Sequence, residues 1–246
     1  LGCADRMAHD RLGAEARAPF TTALVRRVDE ILRENEADLI GAASLCTPEM
    51  VNFMATHARG MICTPITAER AEELDLPQMT RRNREGHKTA FTVSVDAAEG
   101  IATGISATDR TRTIRILADP DSHADQLVQP GHVFPLRSRP GGVLERAGHT
   151  EAAVDLMRLA GLQPVGVIAE VVDEDGDMMR MPGLEKLAER ENMPLTTVAA
   201  LIDYLEAHPL PARVEGELDA HRVAFEVETN VPTENGTFRM RGYRDH

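Results

Sequence analysis

The sequence predicts an α+β fold, a layered domain in which helices flank a mixed β-sheet. Residues 90–96 (AFTVSVD) alternate between apolar and polar side chains and are rich in β-formers. Residues 165–172 form an apolar, Val-rich run, whereas residues 150–161 carry an apolar stripe at the spacing of one helix face. Because strand and helix patterns are mixed along the whole chain, their order favours a layered sheet-and-helix domain.

The first half of the chain contains three further predicted helices. Residues 10–32 look helical but lack clear start and stop signals. Residues 48–56 and 67–74 are predicted to be short helices, because Thr47 and Thr67 can each cap a helix N-terminus with a side-chain oxygen. Both short helices are therefore expected to begin directly after a threonine.

The middle of the chain combines an irregular segment with a well-marked helix. Residues 111–118 are predicted to be helical or mixed, and residues 130–142, with three Pro and three Gly, to form a long structured loop. In residues 150–161, Thr150 is the expected N-cap and Gly161 the expected C′ residue. This helix has both a start signal and a stop signal.

The last part of the chain indicates a domain boundary. Helices are predicted for residues 184–191 and 197–207, and a strand for residues 225–231. The composition between them changes to the linker-like PLPARVEGELDAH. We therefore expect one domain over residues 1–208 and a separate C-terminal segment over residues 209–246.

Composition and charge exclude several classes of protein. The 246 residues carry a formal net charge of −13 and include no Trp, two Tyr and six Phe, which argues against a basic, base-stacking nucleic-acid surface. No apolar run approaches the ~20 residues of a transmembrane helix, and residues 1–27 lack the apolar centre of a signal peptide. Three cysteines do not form a disulfide framework, so we expect a cytoplasmic protein without nucleic-acid or membrane partners.

A charged segment before residue 40 is the first candidate site. Residues 33–38 (RENEAD) place three carboxylates and one guanidinium close together, and oxygen ligands of this kind suit Mg²⁺. Arg33 could hold a phosphate or fix a carboxylate through its planar fork of donors. The alternative interpretation is a solvated charged loop or helix start.

The start of the helix predicted over residues 150–161 is the second candidate site. A helix N-terminus offers unpaired N–H groups and the positive end of the helix dipole, which together attract anions. Arg146 adds charge, Gly148 allows close approach to a ligand, and His149 can donate a hydrogen bond or bind a metal. The alternative is a capped helix with an incidental histidine.

Two further residues are candidates for moving protons. Glu170 lies in an apolar strand, where burial would raise its pKa toward neutrality. His132 lies in a Pro/Gly-rich segment that could hold the imidazole at a fixed distance from a substrate. In the alternative interpretation, Glu170 lies on the wet face of a half-exposed strand and His132 is an ordinary surface residue.

Eight segments, in order and spanning roughly residues 29–206, resemble the 3,4-dihydroxy-2-butanone 4-phosphate synthase family of riboflavin biosynthesis. The matching segments are RENEADLI (33–40), ICTPIT (62–67), DLP (75–77), FTVSVDAAEG (91–100), TGISATDR (103–110), PGHVFPLR (130–137), GGVLERAGHTEAAVDLMRLAG (141–161) and VGVIAEV (165–171). The resemblance implies a homodimeric lyase with a layered α+β fold. Its substrate would be a small sugar phosphate, D-ribulose 5-phosphate, and its products L-3,4-dihydroxy-2-butanone 4-phosphate and formate.

The resemblance also implies roles for individual residues. Glu34 and His149 match the family's ligands for Mg²⁺, for which Mn²⁺ is an expected substitute. The substrate-binding positions match Arg33, Glu34, Asp38, Arg146, Ala147, Gly148, His149, Thr150 and Glu170. His132 and Glu170 match residues that the family needs for catalysis. No organic cofactor is implied.

The chain departs from the family's pattern at several positions. The acidic loop Asp-Asp-Glu-Asp is replaced by DEIL at residues 29–32, and Arg59 and Arg112 stand where smaller residues are usual. The apolar strand expected before that loop is missing or degraded into residues 21–27. An alternative is therefore a diverged homologue of the same fold with altered or lost activity, acting as a partner or regulatory subunit. A third hypothesis, an unrelated metal-dependent hydrolase, rests on the nine histidines.

The C-terminal segment resembles a second family. Residues 231–243 (VPTENGTFRMRGY) are similar to the opening strand of GTP cyclohydrolase II. The chain stops at His246, before the zinc-ligand cysteines of that family could occur, so we expect no cyclohydrolase activity from it.

Overall fold

The chain divides into two compact units, Leu1–His208 and Pro209–His246. The structure is a computed structural model that describes residues 36–210 in full, together with the backbone of residues 22–26, 223–233 and 236–245. The strands of the first unit are β1 (Thr22–Arg26), β2 (Ala37–Ala42), β3 (Cys63–Ile66), β4 (Val95–Ala97), β5 (Leu127–Arg137), β6 (Gly166–Glu170) and β7 (Leu195–Thr197). Its helices are α1 (Pro48–Phe53), α2 (Ala68–Glu73), α3 (Ala107–Ala118), α4 (His149–Leu159), α5 (Met181–Arg190) and α6 (Val198–Ala207).

The seven strands of the first unit form one mixed sheet in the order β4-β5-β3-β6-β2-β1-β7. Pairs β3/β5 and β1/β7 are parallel, whereas β1/β2, β2/β6, β3/β6 and β4/β5 are antiparallel. The predicted α+β class with a mixed sheet is therefore confirmed. In the second unit, β8 (Val223–Thr233) and β9 (Gly236–Asp245) pair as an antiparallel hairpin, which confirms the strand predicted over residues 225–231. The resemblance of this unit to GTP cyclohydrolase II stays a prediction.

The prediction of a helix over residues 10–32 is wrong for residues 22–26, which form β1. This strand pairs with β2 on one side and with β7 on the other. Its backbone hydrogen bonds thus come from segments distant in sequence, and such pairing overrides a weak local helix preference. The apolar strand that looked missing before the acidic loop is therefore present. The rest of the predicted helix lies outside the described residues.

Two threonine caps predicted from the sequence are present. Thr47 Oγ1 accepts a hydrogen bond from Met50 N at 3.3 Å, and Thr67 Oγ1 accepts one from Arg70 N at 3.1 Å. Each bond satisfies an N–H that the first turn of a helix leaves unpaired, which is worth about 1 kcal/mol. The first of these helices continues beyond Phe53 as one wider turn of the π type, Met54–Ala58.

The long loop predicted over residues 130–142 is wrong for its first eight residues, which belong to β5. The strand lies between β3 and β4, and Pro135 is among its paired residues. Proline lacks only the N–H, so its carbonyl still takes part in pairing: Pro135 O accepts from Thr92 N at 3.0 Å. The strand predicted over residues 90–96 is shorter than expected, because only Val95–Ala97 forms β4.

The helix α4 begins one residue before its predicted start. Gly148 occupies the N-cap position, so the prediction that Thr150 caps this helix is wrong, and Thr150 instead lies buried in the first turn. The end of the helix is as predicted: Gly161 has φ +67. Gly161 N donates to Arg158 O and Leu162 N donates to Met157 O, each at 3.0 Å, which closes the last turn.

Helices cover both faces of the sheet. Gly166 of β6 faces Ala153 of α4, whereas Gly41 of β2 faces Met50 of α1. Because neighbouring residues of a strand point to opposite faces, the even-numbered side chains of β2 and β6 face α4. The opposite face buries the main apolar core with α1 and α3, to which Leu39, Val51, Met54, Ile114, Leu117 and Val167 belong. Within the described part of the chain, no helix is long and apolar enough to cross a membrane.

Candidate active site

Two carboxylates lie opposite each other on two inner strands of the sheet, where β2 begins and β6 ends. Asp38 on β2 and Glu170 on β6 are cross-strand partners, and both belong to the face that carries α4. Asp38 is buried and Glu170 is partly buried. Burial first, and then the negative charge of Asp38, raise the pKa of Glu170 above its ordinary value. A carboxyl group in this state can exchange protons closer to neutral pH than an exposed glutamate.

The imidazole of His149 joins these carboxylates. His149 is the first residue of α4, and its Nδ1 lies 3.0 Å from Asp38 Oδ1. The two side chains are only 13% and 4% exposed, so water has little access to the contact between them. Despite this distance, Asp38 Oδ1 accepts no hydrogen bond from the described residues, so the contact does not have the geometry of a hydrogen bond. The structure thus brings together Asp38, His149 and Glu170.

A buried cysteine that sequence reasoning missed lies beside the same carboxylates. Cys63, at the start of β3, pairs with Ile168 of β6, two residues before Glu170. Burial first, and then the charges of Glu170 and Asp38, raise the pKa of the Cys63 thiol far above its usual range. We therefore expect Cys63 to be a neutral, protonated thiol that lines the site and does not act as a nucleophile.

The predicted catalytic histidine, on β5, lies at the same level along the strands as Glu170, with β3 between β5 and β6. His132 precedes by two residues Phe134, which pairs with Cys63 across β5 and β3. Its imidazole Nδ1 lies 2.7 Å from Oδ2 of Asp96. Asp96 was not among the predicted site residues. The signal that could have found it is a carboxylate at the end of the strand predicted over residues 90–96, because burying such a group is costly unless it has a partner.

Gly60 brings backbone directly against Glu170. Gly60 N donates a hydrogen bond to Glu170 O at 3.0 Å. A Cβ on Gly60 would lie 2.4 Å from that oxygen and 2.7 Å from Glu170 Oε2, so no larger residue fits without moving Glu170. The neighbouring Arg59 does not enter this space, because its Nη1 donates to Asp173 O at 3.0 Å and its side chain is 42% exposed.

The predicted phosphate-binding arginine has extensive contacts within the protein. Arg146 Nη1 donates to Glu151 Oε2 at 2.5 Å, Nη2 donates to Thr89 Oγ1 at 3.1 Å, and Nε donates to His87 O at 3.2 Å. Glu151 is buried, and its second oxygen accepts from Arg139 N at 3.0 Å. Arg146 therefore ties three segments together, in addition to any contact with a ligand.

An open cavity adjoins this arginine. It has a volume of about 600 Å³ and is lined by Gly86, His87, Lys88, Arg139, Glu145 and Arg146. Three of these side chains are cationic and one is acidic, so the cavity favours an anion. The cavity lies next to the start of α4, where Ala147 and Gly148 connect Arg146 to the helix, and the phosphate-binding role of this turn stays a prediction.

Two of the predicted site residues, Arg33 and Glu34, lie outside the described residues, as does the altered loop at residues 29–32. Among the residues that are described, no group of three or more His, Cys, Asp or Glu side chains could hold a metal ion. The donors that the described chain does offer around Asp38 are the imidazole of His149 and carboxylate oxygens, a set that suits a hard divalent cation. The predicted pairing of Glu34 with His149 on one metal stays a prediction.

Comparison with known proteins places the chain in one family. The sequence profile of the family described as 3,4-dihydroxy-2-butanone 4-phosphate synthase matches residues 22–204. The riboflavin biosynthesis protein RibBA of Salinispora arenicola (strain CNS-205) is 51% identical over 217 residues, which are 88% of this chain and 49% of that protein. The 3,4-dihydroxy-2-butanone 4-phosphate synthase of Pseudomonas aeruginosa is 48% identical over 222 residues, 90% of this chain and 58% of that protein. The chain thus spans about half the length of these curated relatives.

A solved structure has the same fold. It is a crystal structure of a 3,4-dihydroxy-2-butanone 4-phosphate synthase in complex with two magnesium ions. It superposes on 81% of this chain and 96% of its own with a TM-score of 0.76 and 42% sequence identity.

Proposed function

The chain belongs to the 3,4-dihydroxy-2-butanone 4-phosphate synthase family, and on this premise we propose that it converts D-ribulose 5-phosphate to L-3,4-dihydroxy-2-butanone 4-phosphate and formate. The observation that carries the proposal is the meeting of Asp38, Glu170 and His149 on one face of the sheet, at the start of α4. The reaction needs groups that move protons next to a group that holds a phosphate ester. The carboxylates of β2 and β6 provide the first, and the adjoining start of α4 provides the second.

Proton transfer is assigned to Glu170 and His132. The raised pKa of Glu170 suits a carboxyl that must both take up and release protons near neutral pH. His132 provides an imidazole at the same level along the strands as Glu170. Its side chain is 44% exposed and thus open to a substrate. These two groups would shift protons between carbon and oxygen during enolisation and rearrangement of the sugar.

Substrate phosphate is assigned to the turn Arg146, Ala147, Gly148, His149 and Thr150. The helix hydrogen bonds of α4 begin with Ala152 N, which donates to Gly148 O at 2.9 Å. The N–H groups of the first turn precede that bond and lie at the positive end of the helix dipole, where an anion is stabilised. Lys88 and Arg139 line the adjacent cavity and add positive charge.

A magnesium ion suits the donor atoms around Asp38 and His149. Asp38 Oδ1 is buried and accepts no hydrogen bond from the described residues, which is a costly arrangement unless a cation or a donor meets it. We assign the ion to Glu34 and His149, with Asp38 orienting the imidazole. Bound there, Mg²⁺ would polarise the carbonyl and hydroxyl oxygens of the sugar, and Mn²⁺ is expected to substitute for it.

Assembly and location complete the proposal. We expect a homodimer, as implied by the family resemblance, acting on a small sugar phosphate in riboflavin biosynthesis. A cytoplasmic location agrees with the free, buried cysteines Cys46 and Cys63.

The test is an assay of purified chain with D-ribulose 5-phosphate and Mg²⁺, in which formate and the four-carbon ketone phosphate are measured together. We expect equal amounts of the two products, loss of both on chelation of the metal, and no formate from the Glu170→Gln variant. Folded protein that releases no formate above the protein-free blank would favour the alternative, a diverged homologue acting as a partner or regulatory subunit. The position of Arg59, held toward Asp173 and away from Gly60, removes one of the reasons for that alternative.

A further inference from the structure

A single buried carboxylate holds two parts of His132. Asp96 Oδ1 accepts the backbone N–H of His132 at 2.9 Å, and Asp96 Oδ2 lies 2.7 Å from the imidazole Nδ1. The Asp96 side chain is 8% exposed, whereas that of His132 is 44% exposed. The imidazole is thus anchored on its Nδ1 side and open on the side that carries Nε2.

We propose that Asp96 is a positioning residue that fixes neutral His132 as the Nδ1–H tautomer, which leaves Nε2 as the proton acceptor toward the substrate. An ionised carboxylate can only accept hydrogen bonds, so a bond of this length requires the proton to be on Nδ1. When Nε2 takes up a proton from the substrate, the resulting imidazolium lies against the Asp96 charge. The inference rests on the proposed function in assigning the acceptor role of Nε2.

A glycine encloses this pair and leaves it little freedom to move. Gly104 has φ +89, and a Cβ there would lie 2.2 Å from Asp96 Oδ2 and 2.6 Å from His132 Nδ1. Gly104 N in turn donates to Asp109 Oδ2 at 3.1 Å, at the start of α3. Burial acts to raise the pKa of Asp109, but hydrogen bonds from the backbone of Gly104, Ala102 and Thr103 and from Ser106 lower it overall. The loop that contains Gly104 and covers Asp96 and His132 is therefore held in place by hydrogen bonds to the Asp109 carboxylate.

The same geometry makes Asp96→Asn an informative variant. Its side-chain oxygen must stay with the His132 backbone N–H, because an amide nitrogen cannot accept that bond. The NH₂ group of the new side chain then faces Nδ1 and can only donate to it. Neutral His132 is therefore forced into the opposite, Nε2–H tautomer, without a change in side-chain volume.

The tautomer can be measured directly by NMR on the ¹⁵N-histidine-labelled chain, with His132 assigned by comparison with His132→Gln. In the parent chain we expect Nδ1 to carry the proton at a pH where the ring is neutral, and in Asp96→Asn we expect Nε2 to carry it. A parent chain in which neutral His132 is protonated at Nε2 would overturn the proposal. The measurement on the parent chain needs neither substrate nor turnover, so it is independent of whether the proposed reaction is correct.

Kinetics provide the second readout. Asp96→Asn should lower kcat for formate release by roughly 10²–10⁴-fold, with KM little changed, because the wrong tautomer removes the acceptor but not the binding groups. The matched control is Asp119→Asn, an exposed aspartate whose Oδ1 accepts a hydrogen bond from Asp121 N, two residues along the chain. It should leave both the tautomer and kcat as in the parent. A flipped tautomer with unchanged kcat would refute the role of Asp96, whereas an inactive parent with the expected tautomer would refute the proposed function alone.

Discussion

Asp38 and Glu170 are direct cross-strand partners on β2 and β6, so the structure places two carboxylates side by side on one face of the sheet. Like charges on opposite residues of neighbouring strands repel each other, and burial adds to the cost of charging Glu170. The folded chain therefore holds on to the Glu170 proton more tightly than an unfolded chain does.

This difference predicts a pH-dependent stability. Because the pKa of Glu170 is raised in the folded chain, its contribution to stability is fully present below the unfolded value and is lost as the pH rises through the folded value. Glu170→Gln, which cannot be charged, should be more stable than the parent at neutral pH and no more stable at acid pH. Urea unfolding in metal-free buffer over a pH series measures this. A stability advantage that stays constant with pH would show that ionisation of Glu170 is not its cause, and Glu185→Gln, at an exposed position of α5, serves as the control.

The contact between Asp38 and His149 predicts an effect on metal affinity. Asp38 Oδ1 lies 3.0 Å from His149 Nδ1 and orients the imidazole that we assign to the metal. Removing a partner of this kind typically weakens metal binding about 10–100-fold. Isothermal titration of Asp38→Asn with Mn²⁺ should show a loss in this range while the folded structure is retained. Affinity equal to that of the parent would exclude an orienting role for Asp38.

The contact between Gly60 and Glu170 predicts a steric effect. Gly60→Ala should destabilise the fold by roughly 1–3 kcal/mol and lower kcat, because the new Cβ would overlap the Glu170 backbone and carboxylate. Gly86→Ala is the matched control, since nothing lies within 4 Å of the Cβ it would add. Thermal unfolding compares the two variants, whereas the formate assay compares Gly60→Ala with the parent, because Gly86 lines the cavity beside Arg146. Equal stability of both would show that the backbone at Gly60 can move away at little cost.

Two ion pairs of similar length predict very different energies. The Arg146–Glu151 pair, at 2.5 Å, joins side chains that are 19% and 1% exposed, whereas the Arg137–Glu72 pair, at 2.6 Å, joins side chains that are 36% and 69% exposed. Glu151→Gln should cost about 3 kcal/mol, because it leaves a mostly buried guanidinium without its partner charge. Glu72→Gln should cost less than about 1 kcal/mol.

Denaturant unfolding at neutral pH measures both costs. Glu151→Gln should also raise KM for the sugar phosphate, because Arg146 would no longer be held beside the start of α4. Glu72→Gln should leave KM unchanged. Similar stability losses in the two variants would mean that burial does not decide the strength of these pairs.

Local signals in the sequence predicted those features that depend on a few neighbouring residues. Thr47 and Thr67 cap their helices and Gly161 ends α4, because each role is set by one side chain or by the lack of one. Thr150 failed as a cap because the helix begins earlier, at His149, with Gly148 as its N-cap. A threonine near a helix start signals a cap but does not fix the register of the first turn.

Features that depend on distant partners were not predicted. The strand β1 exists through its pairing with β2 and β7, and β5 keeps its strand form despite Pro135 because the strands β3 and β4 flank it. Within the site, the resemblance to a family identified His132, His149 and Glu170, whose partners are known only from the structure. Nothing local to Asp96 indicates that it lies against His132, because β4 and β5 come together only in the folded sheet.

The central position of β6 in the sheet has a consequence for folding. Its two neighbours, β2 and β3, come from the first third of the chain, whereas β6 itself is made much later. A nascent chain released before β6 has been added therefore contains Asp38 and Cys63 but lacks Glu170. Contacts between such distant segments also form slowly, so the meeting of Asp38 and Glu170 during refolding should follow the slowest step of sheet assembly.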